Sequence, residues 1–187
     1  MNMKSQQRKN FIVKNTKLKG VKVIFTKKKI DERGYLHKLF CFKELKKILN
    51  KKKIKQINIT HTKKNGYVRG LHFQKKPFEE MKIVTCIKGE IFDIALDLRK
   101  KSKDYLKYHG EYLSEKNQKM LIIPEGFAHG FQTITSNCQI LYLHTEIYSK
   151  KNEAGLNILD PYLQIKLPRK ISGMSIRDQK FKFINII

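Results

Sequence analysis

The sequence predicts an all-β fold, an antiparallel sandwich or barrel, with a single convincing helix. The chain of 187 residues is long enough for one domain with a substantial core, and two domains would be cramped. From residue 56 onward, short apolar runs alternate with turn residues, a pattern typical of strands in such folds. Only one segment, near residue 45, has clear helical periodicity.

The chain is predicted to hold one folded domain behind a basic N-terminal arm. Residues 1–20 are rich in lysine and are expected to be this arm, or a loose first strand. Residues 21–187 show no repeat, no low-complexity linker and no second composition, so we expect a single domain there. Its first segment predicts a strand, a turn at Asp31–Gly34 and a second strand.

The predicted helix lies in the segment CFKELKKILNKKK. Its apolar residues Phe42, Leu45, Ile48 and Leu49 recur at helical spacing and lie on one face. The other face is nearly all lysine, which is typical of a solvated surface. The segment therefore predicts an amphipathic helix with one apolar face and one solvated face.

Two turn signals divide the central strands. QINITHT and YVRGLHFQ flank Asn65–Gly66, and Asn-Gly is the strongest short hairpin signal, so these strands are expected to pair. MKIVTCIKGEIFDIALDLR predicts two further strands around Lys88–Gly89, and GFQTITSNCQILYLHTEIY predicts two more.

The strand predicted over residues 91–98 is expected to be central. Alternation places Phe92, Ile94 and Leu96 on its apolar side. Asp93 and Asp97 then face the other way, toward a pocket or a hydrogen-bonded network.

The charge of the chain is strongly positive but uneven. The formal net charge is +25, of which residues 1–55 carry +16, and only six of the 41 basic residues are arginine. Base-edge recognition depends on bidentate arginine. The pattern therefore favours an anionic small substrate over a nucleic-acid partner.

Neither membrane insertion nor disulfide bonding is expected. No apolar run approaches the length of a membrane span, and the N-terminus lacks the apolar region of a secretory signal, which predicts a cytoplasmic protein. Cys41, Cys86 and Cys138 are odd in number and form no CxxC pair, so neither a disulfide nor a zinc site is expected.

Several predicted strands combine an apolar face with a polar one. In YVRGLHFQ, alternation places His72 on one face and Arg69 on the other, so the two are expected to serve different parts of a site. In residues 139–148, Tyr142, His144 and Tyr148 share a face. A surface strand would show the same division, but a small barrel with a partly polar interior would hold a ligand.

A set of motifs carries a resemblance to a known family. DERGYL, YVRGLHFQ, MKIVTCIKGEIFDIALDLR, IPEGFAHGFQT, LYLHTEIY and ILDPYLQIKLP followed by MSIRDQK occur in this order over about residues 24–183. Together they resemble the sugar-nucleotide epimerases typified by dTDP-4-dehydrorhamnose 3,5-epimerase. The resemblance implies a double-stranded β-helix jelly roll of the cupin kind, a homodimer, a nucleotide-diphosphate sugar substrate, and no metal or organic cofactor.

The resemblance also implies roles for individual residues. His72 matches the catalytic base, Asp178 its carboxylate partner, Tyr142 the general acid, and Lys82 the lysine beside the reacting carbonyl. The positions implied to contact the substrate are Arg33 and Arg69 at the diphosphate, His129 as a second active-site histidine, and Gln56, Asn58 and Tyr148 as pocket-lining residues.

The chain departs from the family pattern before Lys82. It reads KKPFEEMK, with Glu80 where many members have glutamine, and on a strand Glu80 would share a face with Lys82. This departure affects the expected substrate more than the expected reaction. Single-centre 3- or 5-epimerases and ketoisomerases of other nucleotide sugars therefore stay open beside the 3,5-epimerase.

Two other classes remain as alternatives to an epimerase. PEGFAH resembles the second motif of metal-dependent cupins, but Gln74 stands where an HxH pair would need its second histidine, so no metal site is expected. A non-catalytic sugar- or nucleic-acid-binding module would not need base, partner and acid candidates together.

Overall fold

A computed structural model describes residues 10–184 and confirms the all-β prediction. The two large sheets pack face to face as a jelly roll. The strands are β1 (Ile12–Asn15), β2 (Lys22–Phe25), β3 (Lys28–Asp31), β4 (Gly34–His37), β5 (Gln56–Thr62), β6 (Tyr67–Gln74), β7 (Lys82–Lys88), β8 (Glu90–Asp97), β9 (Tyr108–Ser114), β10 (Lys119–Ile123), β11 (Phe127–Thr133), β12 (Cys138–His144), β13 (Glu153–Gly155) and β14 (Gly173–Met174). The helices are α1 (Phe42–Leu49) and α2 (Ile176–Gln179), with a 3-10 turn over Pro161–Leu163.

The first sheet has the strand order β1-β2-β10-β7-β12-β5, and the second has the order β13-β6-β11-β8-β9. All neighbours along these two orders are antiparallel, and β14 adds to β6 in parallel. Strands β3 and β4 form a separate hairpin, which agrees with the predicted turn at Asp31–Gly34.

Both sheets bury apolar side chains on both of their faces. Between them lies a core to which both contribute, including Val84 and Ile140 from the first sheet and Ala95 and Phe131 from the second. Helix α1 covers the outer face of the first sheet, and the chain after β13 covers the outer face of the second. Burying each large aliphatic side chain stabilises the fold by about 1.5–3 kcal/mol.

The predicted helix is confirmed as α1. Leu45 and Leu49 are fully buried against the first sheet, and Ile48 packs beside them. Phe42 stays half exposed at the helix start. The helix ends at Leu49 and is capped by Asn50, which has a left-handed backbone conformation and donates its backbone N–H to the carbonyl of Lys46.

The predicted β5–β6 hairpin is wrong, although the turn itself is present. Strand β5 pairs with β12, whereas β6 pairs with β11, β13 and β14. The Asn65–Gly66 turn therefore passes the chain from one sheet to the other. Turn residues encode a reversal of direction, but the choice of hydrogen-bonding partner depends on how the two sheets pack.

The predicted central strand is confirmed as β8, which lies between β9 and β11. Ile94 and Leu96 are fully buried and Phe92 is partly buried, all on the outer side beneath the C-terminal segment. Asp93 and Asp97 are also fully buried, and each has polar partners.

The N-terminal region is described from residue 10, so residues 1–9 of the predicted arm lie outside the described residues. Within that arm, β1 is a strand of the first sheet. Over residues 10–184, no helix has the length and apolar character needed to cross a membrane.

Candidate active site

One cavity, with a volume of about 290 Å³, opens between the two sheets. It collects polar side chains from strands that are distant in sequence. Its lining residues are Asn58 and Thr60 of β5, Arg69, His72, Phe73 and Gln74 of β6, Glu80 and Lys82 around the start of β7, His129 and Phe131 of β11, Tyr142 and His144 of β12, and Tyr148, Glu153 and Arg177 from the later chain.

The predicted pair of His72 and Asp178 is present. His72 Nε2 lies 2.8 Å from Asp178 Oδ1, and the backbone N–H of Gly70 donates to Oδ2 at 3.0 Å. Burial raises the pKa of Asp178, but the hydrogen bonds from His72 and Gly70 outweigh it and hold the pKa below its usual value. The ionised carboxylate only accepts, so it fixes the ring proton on Nε2 and leaves Nδ1 as the basic nitrogen of neutral His72.

The helix α2 positions Asp178. Ser175 caps this short helix, since its hydroxyl accepts a hydrogen bond from the backbone N–H of Asp178 at 3.0 Å. Phe181 follows the helix and packs edge-on against the His72 ring, with centroids 5.8 Å apart. The Asp178 carboxylate is therefore positioned both by the capped helix that carries it and by its hydrogen bond with His72.

The prediction that Arg69 and His72 face opposite ways is wrong, because both line the cavity. Phe131 pairs with Arg69 and His129 pairs with His72, so three steps along β6 match two steps along β11. This bulge breaks the alternation and turns both side chains inward. Arg69 is held by hydrogen bonds to the Thr62 hydroxyl and to a β5 carbonyl, each at 3.0 Å.

Tyr142 lies on the first sheet and His72 on the second, so they occupy opposite walls of the cavity. The Tyr142 hydroxyl is 3.3 Å from Thr60 Oγ1, and the side chain is nearly buried. Burial raises the pKa of Tyr142 well above its usual value, so the phenol is protonated at neutral pH. A protonated phenol can donate a proton or a hydrogen bond.

His129 forms a second histidine–carboxylate pair. Its Nε2 lies 2.7 Å from Asp93 Oδ1, and both side chains are buried. Burial lowers the pKa of His129 more than Asp93 raises it, which keeps the ring neutral at pH 7. Since His129 is the strand partner of His72, it lies beside the base on the same wall.

Lys82, Glu80 and His144 form a connected cluster at the other wall. Lys82 Nζ is 3.3 Å from Glu80 Oε1, and His144 Nδ1 is 2.7 Å from Glu80 Oε2. Lys82 is the strand partner of His144. The expected sharing of one face by Glu80 and Lys82 is confirmed, because both line the cavity.

The other residues predicted to contact the substrate differ in where the structure places them. Asn58 and Tyr148 line the cavity. Gln56 stands behind them, because its amide donates to Asn58 Oδ1 at 3.2 Å and its Oε1 accepts from the Tyr148 backbone N–H at 2.9 Å. Arg33 lies on the β3–β4 hairpin, where its exposed guanidinium binds Asp31 at 2.6 Å. It does not line the cavity of its own chain.

Sequence reasoning missed Arg177 and Glu153. Arg177 Nη1 binds both oxygens of Glu153 at 3.0 and 2.9 Å, and Nη2 lies 3.1 Å from His72 Nε2. Arg177 immediately precedes Asp178, so that motif could have indicated it. Glu153 lies in a short strand with no local signal. His144 lies on a predicted polar face but was not assigned to the site, and neither were Thr60 and Gln74, which also line the cavity.

The described part of the chain holds no cluster of residues suited to binding a metal ion. Among residues 10–184, no group of three or more His, Cys, Asp or Glu side chains is placed to hold an ion. The side chain of Gln74 instead bonds three backbone groups, the carbonyls of Phe78 and Ile147 and the N–H of Ser149.

Known proteins are similar to this chain in fold and in sequence. The family model described as dTDP-4-dehydrorhamnose 3,5-epimerase matches residues 15–185. The dTDP-4-dehydrorhamnose 3,5-epimerase of Shigella flexneri is 37% identical over 155 residues, which cover 81% of this chain and 85% of that protein.

Two solved structures are similar along nearly their whole length. The Legionella pneumophila dTDP-6-deoxy-D-glucose-3,5-epimerase in complex with dTDP-4-keto-L-rhamnose has a TM-score of 0.87 and 32% identity, covering 92% of each chain. The Bacillus anthracis dTDP-4-dehydrorhamnose 3,5-epimerase with TDP and PPi bound has a TM-score of 0.88 and 30% identity, covering 93% of this chain and 99% of that one.

Proposed function

Because the chain belongs to the dTDP-4-dehydrorhamnose 3,5-epimerase family, it is a nucleotide-sugar epimerase, and we propose that it inverts both C3 and C5 of dTDP-4-dehydro-6-deoxy-D-glucose. The product is dTDP-4-dehydro-L-rhamnose. The observation that carries this proposal is the placement of the His72–Asp178 pair and the Tyr142 phenol on opposite walls of one cavity.

The first half of the reaction is proton removal by His72. The carbon that loses the proton is adjacent to the C4 ketone, so the electron pair of its C–H bond becomes an enolate. A neutral histidine is a suitable base near pH 7 because the imidazole side chain in general has an unperturbed pKa of about 6.5. Asp178 holds the tautomer and stabilises the imidazolium that forms, and the Lys82 ammonium stabilises the enolate oxygen.

The second half is proton delivery by Tyr142 to the opposite face of the same carbon. The enolate electrons form the new C–H bond, the ketone is restored, and the configuration is inverted. Solvent then returns a proton to Tyr142 and takes one from His72. The substrate is neither oxidised nor reduced overall, so this sequence needs no cofactor.

The nucleotide diphosphate is proposed to bind at Arg69. A guanidinium binds two phosphate oxygens through parallel N–H bonds, and Arg69 is already oriented by Thr62. The binding of dTDP-4-keto-L-rhamnose by the Legionella relative supports the same ligand class for this chain.

A homodimer is proposed from the exposed apolar surface of the β3–β4 hairpin. Ile30, Tyr35 and Leu36 on this hairpin are each more than 60% exposed. A second copy of the chain would cover these side chains. It would also place Arg33 of the hairpin beside the cavity of the neighbouring subunit, where Arg33 could contact the bound diphosphate.

We also propose a cytoplasmic location. The free thiols of Cys41, Cys86 and Cys138 support it, because thiols stay reduced in that compartment.

The test is incubation with dTDP-4-keto-6-deoxyglucose in deuterium oxide, followed by NMR at C3 and C5. We expect deuterium at both carbons together with inversion at both. Deuterium and inversion at one carbon would replace the proposal with a single-centre epimerase, and movement of the ketone would replace it with a ketoisomerase. Absence of any exchange with this substrate would overturn it.

A further inference from the structure

The cluster of Glu80, Lys82 and His144 contains two groups to which the proposed mechanism gives no role. Glu80 and His144 are only 9% and 12% exposed at their side chains, yet both line the cavity. Burying ionisable groups is costly unless they are paired. Their position in the cavity beside Tyr142 therefore suggests a role in the site.

Glu80 divides its two oxygens between two partners. Oε2 binds His144 Nδ1 at 2.7 Å, and Oε1 lies 3.3 Å from Lys82 Nζ. Burial raises the pKa of Glu80, but His144 and Lys82 together outweigh it and hold the pKa below its usual value. The ionised carboxylate only accepts, so it fixes a proton on His144 Nδ1 and leaves Nε2 directed toward Asn58, whose amide nitrogen is 3.5 Å away.

The His144 ring is stacked on the Tyr142 ring. The two centroids are 5.8 Å apart and the planes differ by only 19°. Tyr142 also packs in the core between the sheets, contacts His129 edge-on, and has its hydroxyl 3.3 Å from Thr60 Oγ1. The His144 ring therefore covers one face of the phenol ring, and a charge on the imidazole acts directly on the phenol across a buried contact.

We propose that His144, held by Glu80, is a positioning residue for the proton-delivery half of the reaction: its ring orients the Tyr142 phenol, and its positive charge makes the phenol a stronger acid. This proposal rests on the proposed epimerase function and extends it to two residues. The imidazolium stabilises the phenolate that remains after proton transfer, so delivery is faster when His144 is protonated. The Glu80 carboxylate stabilises the positive charge on His144 and also pairs with the Lys82 ammonium.

Other ionisable groups surround His144. They are Glu80 before β7, Lys82 on β7, Tyr142 on β12, and Glu146 after β12, which pairs with Lys55. Across the cavity stand Arg69 and His72 of β6, His129 of β11, Glu153 of β13 and Arg177 of α2. His72 is also ionisable, so a test must separate its step from that of Tyr142.

Deuterium exchange provides this separation. Exchange at the C–H bond requires only removal by His72 and return of a deuteron to the same face, whereas inversion also requires Tyr142. We therefore propose measuring the ratio of inversion to exchange by NMR in deuterium oxide, across the pH range, for wild type, His144→Gln and Glu80→Gln. His109→Gln is the matched control, since His109 also faces a glutamate, Glu111, at 3.5 Å but lies outside the cavity.

In wild type, the ratio should rise as pH falls, because the protonated form of His144 stabilises the phenolate. In His144→Gln the ratio should fall about 10-fold or more at low pH and lose its pH dependence, because glutamine can still donate to Glu80 but cannot carry charge. In Glu80→Gln the pH at which the ratio of inversion to exchange changes should move lower, because the imidazolium loses its carboxylate partner. His109→Gln should keep the wild-type ratio and profile.

Three results would overturn the proposal. Exchange and inversion could fall by the same factor, which would indicate general damage to the site. The ratio and its pH dependence could stay unchanged in both variants, or His109→Gln could change them equally. Thermal unfolding of each variant shows whether it is folded, and Glu80→Gln carries the test if His144→Gln does not fold. Wild-type protein without any exchange would instead contradict the proposed function.

Discussion

His72 and Asp178 are 106 residues apart in sequence, yet His72 Nε2 and Asp178 Oδ1 lie 2.8 Å apart. The carboxylate is 1% exposed, and its second oxygen is occupied by the Gly70 N–H. The pair is thus prepared before substrate arrives, with the ring proton directed to Asp178 and the other nitrogen left basic.

Removing the base should stop both halves of the reaction. We expect His72→Asn to abolish exchange and inversion together, because the amide cannot take the proton. Asp178→Asn should reduce both by a smaller factor, because the imidazolium loses its partner and the tautomer is no longer fixed. Deuterium incorporation measured by NMR checks this. Wild-type exchange in His72→Asn would move the base to another group, with His129 and Glu80 the nearest candidates in the cavity.

Removing the acid should separate the two halves. Tyr142→Phe keeps the ring that stacks on His144 and deletes only the hydroxyl. We expect exchange to persist in part while inversion falls by about 10²–10⁴-fold, the usual range for a lost general acid. The two rates are measured in the same deuterium oxide experiment. Inversion at the wild-type rate would show that water or another residue delivers the proton.

Binding of the diphosphate should depend on Arg69 and not on the general positive charge. We expect Arg69→Ala to weaken dTDP binding by about 10–100-fold, the value of one charge-assisted contact. The matched control replaces Lys51, Lys52 and Lys53 together, which lie near the end of α1 outside the cavity. Calorimetric titration at physiological salt compares them. An equal loss in the lysine variant would assign binding to net charge.

The approach of β6 to β11 should not tolerate a side chain at Gly70. A Cβ there would lie 2.6 Å from the His129 carbonyl oxygen and 2.7 Å from the Gly130 Cα, with φ at +108°. Gly34 has a similar φ of +128°, but nothing lies within 4 Å of its Cβ position. We expect Gly70→Ala to lower the free energy of unfolding by about 1–3 kcal/mol more than Gly34→Ala does. Chemical unfolding curves of equal midpoint would refute the close approach.

Stability should fall at mildly acidic pH because buried histidines resist protonation. Burial lowers the pKa of His109 in the folded chain despite Glu111, whereas the unfolded value is near 6.5. The unfolded state therefore binds the proton first, so the stability contribution is complete above about pH 6.5 and is lost as pH falls from there toward the folded pKa.

The variant His109→Gln isolates this contribution. It removes one such group, so its free energy of unfolding should depend less steeply on pH below about 6.5 than that of wild type. His129 leaves a remaining slope in both proteins, since burial lowers its pKa too. Unfolding curves at four or five pH values provide the measurement, and identical slopes would contradict the assignment.

The sequence by itself determined those features that depend on local periodicity or on ordered motifs. The spacing of Leu45 and Leu49 predicted α1, and the alternation in β8 correctly directed Asp93 away from Ile94. The ordered motifs indicated the family, and seven of the residues they implied line the cavity. These features follow from backbone geometry over a few residues, or from side chains that the chemistry requires.

Only the tertiary structure decided which strands pair and which side chains meet. Asn65–Gly66 predicted a reversal but not the exchange of sheets, because partner choice depends on packing across the whole core. Arg69 faces the cavity because β6 gains one residue relative to β11, a register change that alternation within one strand cannot reveal. Glu153 and His144 could not be placed in the site from local patterns because their positions depend on partners that are distant in sequence, Arg177 and Glu80, and these contacts form only when the fold brings those segments side by side.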